Sequence, residues 1–277
     1  MIRLFASASL AALTLLASTS AMAGKVMDKI NERGQLAACI KLDYRPFGYR
    51  APNGDQVGLE HDLVADLAKR LGQKFNKPIT VEKISVIAAN RVQFVQQGKC
   101  DVLIGTMTDN AERRKVINIV QPNYYSSGIT VIARKSTPIK TWDDIRGKKL
   151  CVSQGAFWNK EYQRRYDLDL QAFAGIAEAG QALQDGRCIG NLTDDALAAS
   201  RLLDTATWGD FEIKLPVQDR EPWGVATQYG DDEFAGFLSS AVTAWHREGT
   251  LIALEKKWEL QPTAFVKEMQ EKYKNAK

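Results

Sequence analysis

The residues best suited to grip a small charged molecule gather between Asn90 and Gly128: Thr106, Thr108 and Arg113. Arg113 offers a planar, permanently charged fork that matches a carboxylate. Val102-Leu103-Ile104 is a short continuous apolar run, as expected of a strand buried on both faces. It ends at Gly105, and ligands of open α/β sheets sit outside the carboxyl ends of strands. Thr106, Thr108 and Arg113 therefore fall where an anion could be held. The same local sequence also reads as a solvated charge run, Arg113-Arg114-Lys115. Metal chemistry has little to build on. The chain has 2 histidines, His61 and His246, and lacks a C-x-x-C pair. His61 stands beside Asp62 at a helix start and reads as a surface residue. No histidine joins the candidate cluster and no nucleophile–base pair is evident, so the expectation is a binding protein and not an enzyme, with no cofactor and no metal.

These groups need a scaffold, and the patterning supplies one. A strand over 35–41 is followed by the loop Asp43-Tyr44-Arg45-Pro46-Phe47 and a helix over 58–71, whose Leu63, Leu67 and Leu71 form an i, i+4, i+8 stripe. A strand over 79–84, a helix over 90–97 and a strand over 101–105 follow. A long extended run covers 128–134. Strands at 149–152, 170–173 and 188–192 then alternate with helices at 156–166, 176–184 and 194–203. The chain closes with a strand over 224–228, helices over 232–246 and 251–260, and an amphipathic tail over 263–277. Strands alternating with amphipathic helices predict an α/β fold with mostly parallel sheets.

Residues 1–23 read as a signal peptide. Arg3 provides the positive start, residues 4–16 the apolar core, and Ala21-Met22-Ala23 the small-x-small cleavage site. The apolar run is too short to span a bilayer, so the mature chain is expected in the periplasm. Leu36-Ala37-Ala38-Cys39 matches a lipobox in letters, but charged residues from Lys25 to Arg33 separate it from the apolar core. Apolar residues make up 45% of the chain and charged residues 25%, an ordinary globular composition. The net charge of +4 is too mild for a nucleic-acid partner.

The stretch NRVQFVQQGKCDVLIGTMTDNAERRK, together with Pro46-Phe47, the run from Gly58 to Asp62, and Gly147-Lys148-Lys149, resembles the periplasmic polar amino-acid binding proteins, the family 3 solute receptors of ABC importers. The resemblance runs from about Gly34 to about Leu260. It implies a two-lobed type II periplasmic-binding fold, with lobe one at 24–131 plus 223–277 and lobe two at 132–222. The segments near 128–134 and 218–224 would be the crossovers of a hinge that closes on the ligand.

Position by position, Arg113 matches the arginine that pairs with an α-carboxylate, supported by Thr106 and Thr108. Asp194 matches the carboxylate that receives the α-ammonium, with Asp195 as the alternative; a helix N-cap is the other reading of Asp194. Tyr44 and Phe47 match pocket aromatics, though Phe47 also suits core packing. Lys41 stands where relatives for cationic amino acids carry an acid. Arg91, in AANRVQF, is similar to the glutamate- and aspartate-binding branch. Two distal cations favour an anionic side chain, so the implied ligand is glutamate or aspartate, delivered by a monomeric receptor to a membrane ABC permease. Phe157 departs from the pattern, standing where the family usually has a hydroxyl, and NIVQPNYY replaces a DFSDPYY-like run. A modified acid such as an opine, or a dehydratase on the same scaffold, are the alternatives. If lobe two has the family's strand order, Cys151–Cys188 is the favoured disulfide. Cys39 and Cys100 are staggered by about four residues at about 3.3 Å each, too far to bridge; four buried free thiols remain the other reading.

Overall fold

A computed structural model describes residues 26–276. The expected signal peptide at 1–23 lies outside the described residues. Lobe one opens with α1 (Val26–Arg33), β1 (Gln35–Lys41), the small strands β2 (Asp43–Tyr44), β3 (Gly48–Arg50) and β4 (Gln56–Val57), and then α2 (Leu59–Phe75). It continues through β5 (Thr80–Val86), α3 (Arg91–Gln96), β6 (Val102–Leu103), α4 (Ala111–Arg114) and β7 (Asn118–Ile119). The long β8 (Tyr125–Arg134) leads to a 3-10 turn (Trp142–Ile145), β9 (Lys149–Ser153), α5 (Asn159–Tyr166), β10 (Asp169–Phe173) and α6 (Ile176–Gln184). Then come β11 (Gly190–Asp194), α7 (Asp195–Leu203), α8 (Thr205–Trp208), β12 (Phe211–Ile213) and β13 (Gln218–Trp223). β14 (Ala226–Thr227), α9 (Asp232–Arg247), α10 (Thr250–Lys257) and α11 (Ala264–Tyr273) finish the chain.

The strands form two main sheets, one per lobe. The first has the order β5-β1-β6-β14-β7 and the second β10-β9-β11-β8-β12, with β13 also paired to β8. In each, the first strand of the lobe lies between the second and third, all parallel. β14 returns antiparallel to β6 and β7, so the end of the chain completes the sheet that its start began. β1 is buried from Leu36 to Lys41 because sheet neighbours flank it and helices cover it. The stripe Leu59, Leu63, Leu67 and Leu71 buries α2 on that sheet. α2 runs past the expected stop to Phe75, where Asn76 at φ 51° turns the chain and donates its N–H to the Gly72 carbonyl. The elements that pattern reading passed over, α1, β2–β4, α8 and β12, are mostly too short to display a period.

Two expectations are corrected. Cys39 and Cys100 do form a disulfide, with Cα atoms 5.7 Å apart. Cys100 precedes β6 instead of lying in it. The turn at Gly98 (φ 62°) folds back over β1, and Asp101 donates its N–H to the Ala37 carbonyl. The stagger assumed from strand ends therefore does not apply. Cys151–Cys188 is also bridged, at a Cα separation of 5.6 Å, and none of the cysteines is free.

His61 is not a surface residue. It is 5% exposed, wedged between α2 and β1, with Nε2 3.3 Å from the Lys41 carbonyl oxygen. Burial, first, and Lys83, second, lower its pKa to about 4. The folded protein holds the ring neutral while the unfolded chain protonates it near 6.5. Its contribution is therefore full above about pH 6.5 and is lost as the pH falls toward about 4. After allowance for partial solvent screening this amounts to about 1–2 kcal/mol. Urea unfolding of His61→Gln is expected to show a flatter stability profile than wild type across that window. Parallel profiles would remove His61 as the cause.

Candidate functional site

The carboxyl ends of the two sheets face each other across the cleft between the lobes. A cavity of about 30 Å³ lies there, walled by Lys41, Arg91, Thr106 and Thr108 from lobe one and by Ser153, Trp158 and Asp194 from lobe two. The lobes are in direct contact around it. The Tyr44 hydroxyl donates to the Asp194 carboxylate, and Ile176 N–H approaches Asp43 at 3.5 Å. Gly155, at φ 79°, lies so close to the opposite lobe that a Cβ there would be 2.6 Å from Ala89 Cα. That approach requires glycine for both its dihedral and its lack of a side chain.

Thr106 is the pivot of the lobe-one wall. Its φ of 47° is unfavourable for a β-branched residue and is sustained by its surroundings. Its N–H donates to Glu60 Oε1 at 2.6 Å, and its carbonyl accepts from Arg91 Nη1 at 2.8 Å. The same Nη1 reaches Thr106 Oγ1 at 3.0 Å and also donates to the Gly105 carbonyl. Arg113 is fixed from below. The Asn110 side chain caps α4 by accepting from Arg113 N at 2.9 Å, and Arg113 Nη1 donates to the Thr108 carbonyl at 2.9 Å.

The charges are out of balance with their environment. Lys41 is 1% exposed, Arg91 4% and Arg113 9%. The guanidinium contacts just given are to neutral oxygens, and the Lys41 ammonium is 3.5 Å from Asp43. Burial, joined by Arg91, lowers the Arg113 pKa to about 9. Burial likewise lowers Lys41 and Arg91, against the opposing pull of Asp43 on the first and Glu60 on the second. Burial raises the carboxyls of Glu60 and Asp194; Tyr124 opposes the first shift and Tyr44 the second. Among the described residues, Arg91 Nε and Glu60 Oε2 are buried without a hydrogen-bond partner. A buried cation without a bonded anion is costly, and an incoming carboxylate would supply what it lacks.

Of the nine residues nominated from sequence, Lys41, Tyr44, Arg91, Thr106, Thr108 and Asp194 meet on the cavity wall. Arg113 stands one step behind Thr108. Phe47 is fully buried in an aromatic cluster, its ring centroid 5.6 Å from Tyr44, 5.0 Å from Tyr125 and 5.1 Å from Trp223. It supports the wall from beneath. Phe157 packs edge-on against Trp158 at 5.1 Å and joins the lobe-two core. Asp194 ends β11 in the N-cap position of α7 but makes no side-chain cap bond, which leaves its carboxylate for Tyr44. Sequence reading missed Ser153, Trp158, Trp223 and Glu60. Ser153 ends a strand, so the carboxyl-end rule could have found it. Glu60 looks like an ordinary acid in a first helical turn and carries no such signal. A larger cavity, about 550 Å³, opens at the hinge between Tyr125, Arg220 and Phe265, but its lining cation Arg220 is already paired with Asp195 at 2.6 Å. The buried Lys41 and Arg91, the latter bonded only to neutral oxygens, point to the smaller cavity.

Comparison with known proteins agrees with this geometry. The model of the bacterial extracellular solute-binding proteins, family 3, matches residues 36–261. The chain is similar to the L-glutamate/L-aspartate-binding protein of Pseudomonas aeruginosa, 24% identical over 85% of this chain and 80% of that protein. It is 28% identical to the L-cystine-binding protein TcyJ of Escherichia coli, over 84% of this chain and 85% of that one. Among solved structures, the crystal structure of an ancestral amino acid-binding protein, a precursor of cyclohexadienyl dehydratase, superposes with a TM-score of 0.75 at 27% identity, covering 84% of this chain and 98% of that one.

Proposed function

This chain belongs to the bacterial extracellular solute-binding proteins, family 3, and from that premise we propose that it is the periplasmic receptor of an ABC importer for an acidic amino acid, glutamate or aspartate. In this reading the lobes divide near 131 and 223 and close on the ligand, and the monomeric receptor hands it to a membrane permease. Arg113, with Thr106 and Thr108, holds the α-carboxylate, and Asp194 takes the α-ammonium in place of the Tyr44 hydroxyl. Lys41 and Arg91 meet the side-chain carboxylate, while Tyr44 packs on the carbon chain. Phe47 and Phe157 shape the walls from behind. The observation that carries the proposal is the set of buried cations in the cleft: Lys41, Arg91 and Arg113 are all nearly water-free, both guanidiniums hydrogen-bond only neutral oxygens, and Lys41 has Asp43 at 3.5 Å. Such a site repels cationic side chains and penalises neutral ones for leaving charges unpaired. The glutamate/aspartate-binding relative adds support.

Phe157 and the cystine-binding relative support a second reading, a bulkier or modified acid that still presents carboxylates. The dehydratase alternative has weaker support: the ancestral neighbour is itself described as amino acid-binding, and the cavity wall carries no histidine. Calorimetric titration of ligand-stripped mature protein should give tight binding of glutamate or aspartate, weaker glutamine and no arginine. Lys41→Met should cost the acids far more than glutamine. Silence for both acids with a response to cystine or an opine would replace glutamate by the second reading.

A further inference from the structure

The residue next to the proposed ammonium ligand faces the other way. Asp195 opens α7, and its carboxylate accepts from three groups on the two strands that join the lobes. Ser127 Oγ donates at 2.6 Å and Gly128 N at 3.1 Å, both from β8. Arg220 Nη2 donates at 2.6 Å from β13. We infer that Asp195 is a positioning residue for ligand capture, tying the helix that follows Asp194 to both hinge strands so that the hinge and the ligand carboxylate move as one body. The inference rests on the receptor reading above.

The local geometry distinguishes this from an acid that merely offsets a helix dipole. Ser127 is 2% exposed, so its bond to Asp195 is shielded from water. β8 and β13 approach so closely here that a Cβ on Gly128 would lie 2.3 Å from Val217 Cγ1 and 2.8 Å from the Gln218 carbonyl. β13 breaks register between Gln218 and Glu221, with Asp219 at φ 46°. The hinge strands pair with each other but are irregular where Arg220 projects, and the Asp195 side chain bonds to both of them there. Meanwhile Asp194 points into the cleft and bonds Tyr44 of lobe one. One peptide unit therefore carries a cleft contact on one side and a hinge contact on the other. Rotation of the hinge strands must reorient Asp194, and an ammonium bound by Asp194 must resist that rotation.

The test compares wild type, Asp195→Asn, Arg220→Gln and Arg220→Lys as full mature chains. Asparagine keeps the size of Asp195 and can still accept from Ser127 and Gly128, but it gives up the ion pair. Stopped-flow tryptophan fluorescence should show glutamate leaving about 10-fold faster from Asp195→Asn and Arg220→Gln. Association rates and thermal midpoints should stay near wild type, and Arg220→Lys should retain most of the slow release. Small-angle X-ray scattering without added ligand should give both charge-removing variants a broader, more open lobe arrangement. Unchanged release and scattering would overturn the inference, as would affinity losses that simply follow a falling thermal midpoint. If wild type binds no acidic amino acid, the ligand reading fails, and the scattering comparison decides the hinge coupling by itself.

Discussion

Arg113→Ala is expected to cost about 2–5 kcal/mol of glutamate binding, the range found when one partner of a buried, hydrogen-bonded charge pair is removed. The same substitution should leave the thermal midpoint unchanged or raise it. The two effects have opposite signs because of where the guanidinium is kept. It is 9% exposed, held through Thr108 and the Asn110 cap, and burial lowers its pKa to about 9. The folded protein thus carries a charge in a setting that disfavours it, a standing cost that an anionic ligand removes and alanine also removes. A purely structural arginine would behave in the reverse way, losing stability on truncation and leaving affinity alone. Arg113→Lys should recover part of the affinity but not the two-pronged geometry. Calorimetry and thermal unfolding on the same samples check both signs; affinity within about two-fold of wild type would remove Arg113 as the anchor.

How much of this was legible in the sequence depends on the range of the interaction. The α/β alternation came from local periods, so β1, α2, α6 and the parallel strands β9–β11 of lobe two lie close to where the pattern put them. Six nominated residues meet on the cavity wall because strand ends and helix starts in such folds converge, and a residue at such an end inherits its place from topology. Phe47 illustrates the limit. Its neighbours Tyr125 and Trp223 come from the distant hinge strands, and nothing local to Pro46-Phe47 says whether the ring faces the cavity or the core. His61 fails for a similar reason. It follows Glu60 in an apparently polar helix start, but the β3 turn at Gly48 covers it. Glu60 itself was missed because its partners, Thr106 and Tyr124, lie far along the chain.

The second large effect concerns the cross-link that strand ends argued against. Replacing both Cys39 and Cys100 with alanine should lower stability by about 4 kcal/mol, from the chain-entropy cost of opening the loop they close. That loop spans 61 residues in sequence separation. Cys151–Cys188 closes one of 37, and the logarithmic dependence makes its expected contribution nearly the same. The two bridges occupy equivalent places. Gly98-Lys99-Cys100 and Gly186-Arg187-Cys188 each begin with a glycine at positive φ, and each staples the turn entering its lobe's third strand to the first strand. The first and third strands are also the ones whose ends carry Lys41 and Thr106 in lobe one, and Ser153 and Asp194 in lobe two. Removing one bridge should therefore loosen one wall of the cleft, with a smaller loss of affinity than Arg113→Ala because the ligand-facing groups remain. Urea unfolding should show a lowered midpoint for either double mutant, with a separate early transition if the lobes unfold independently. An unchanged midpoint for Cys39→Ala/Cys100→Ala would mean that the β1–β6 pairing and the buried turn already restrain that loop in the unfolded ensemble, leaving the bridge little entropy to remove.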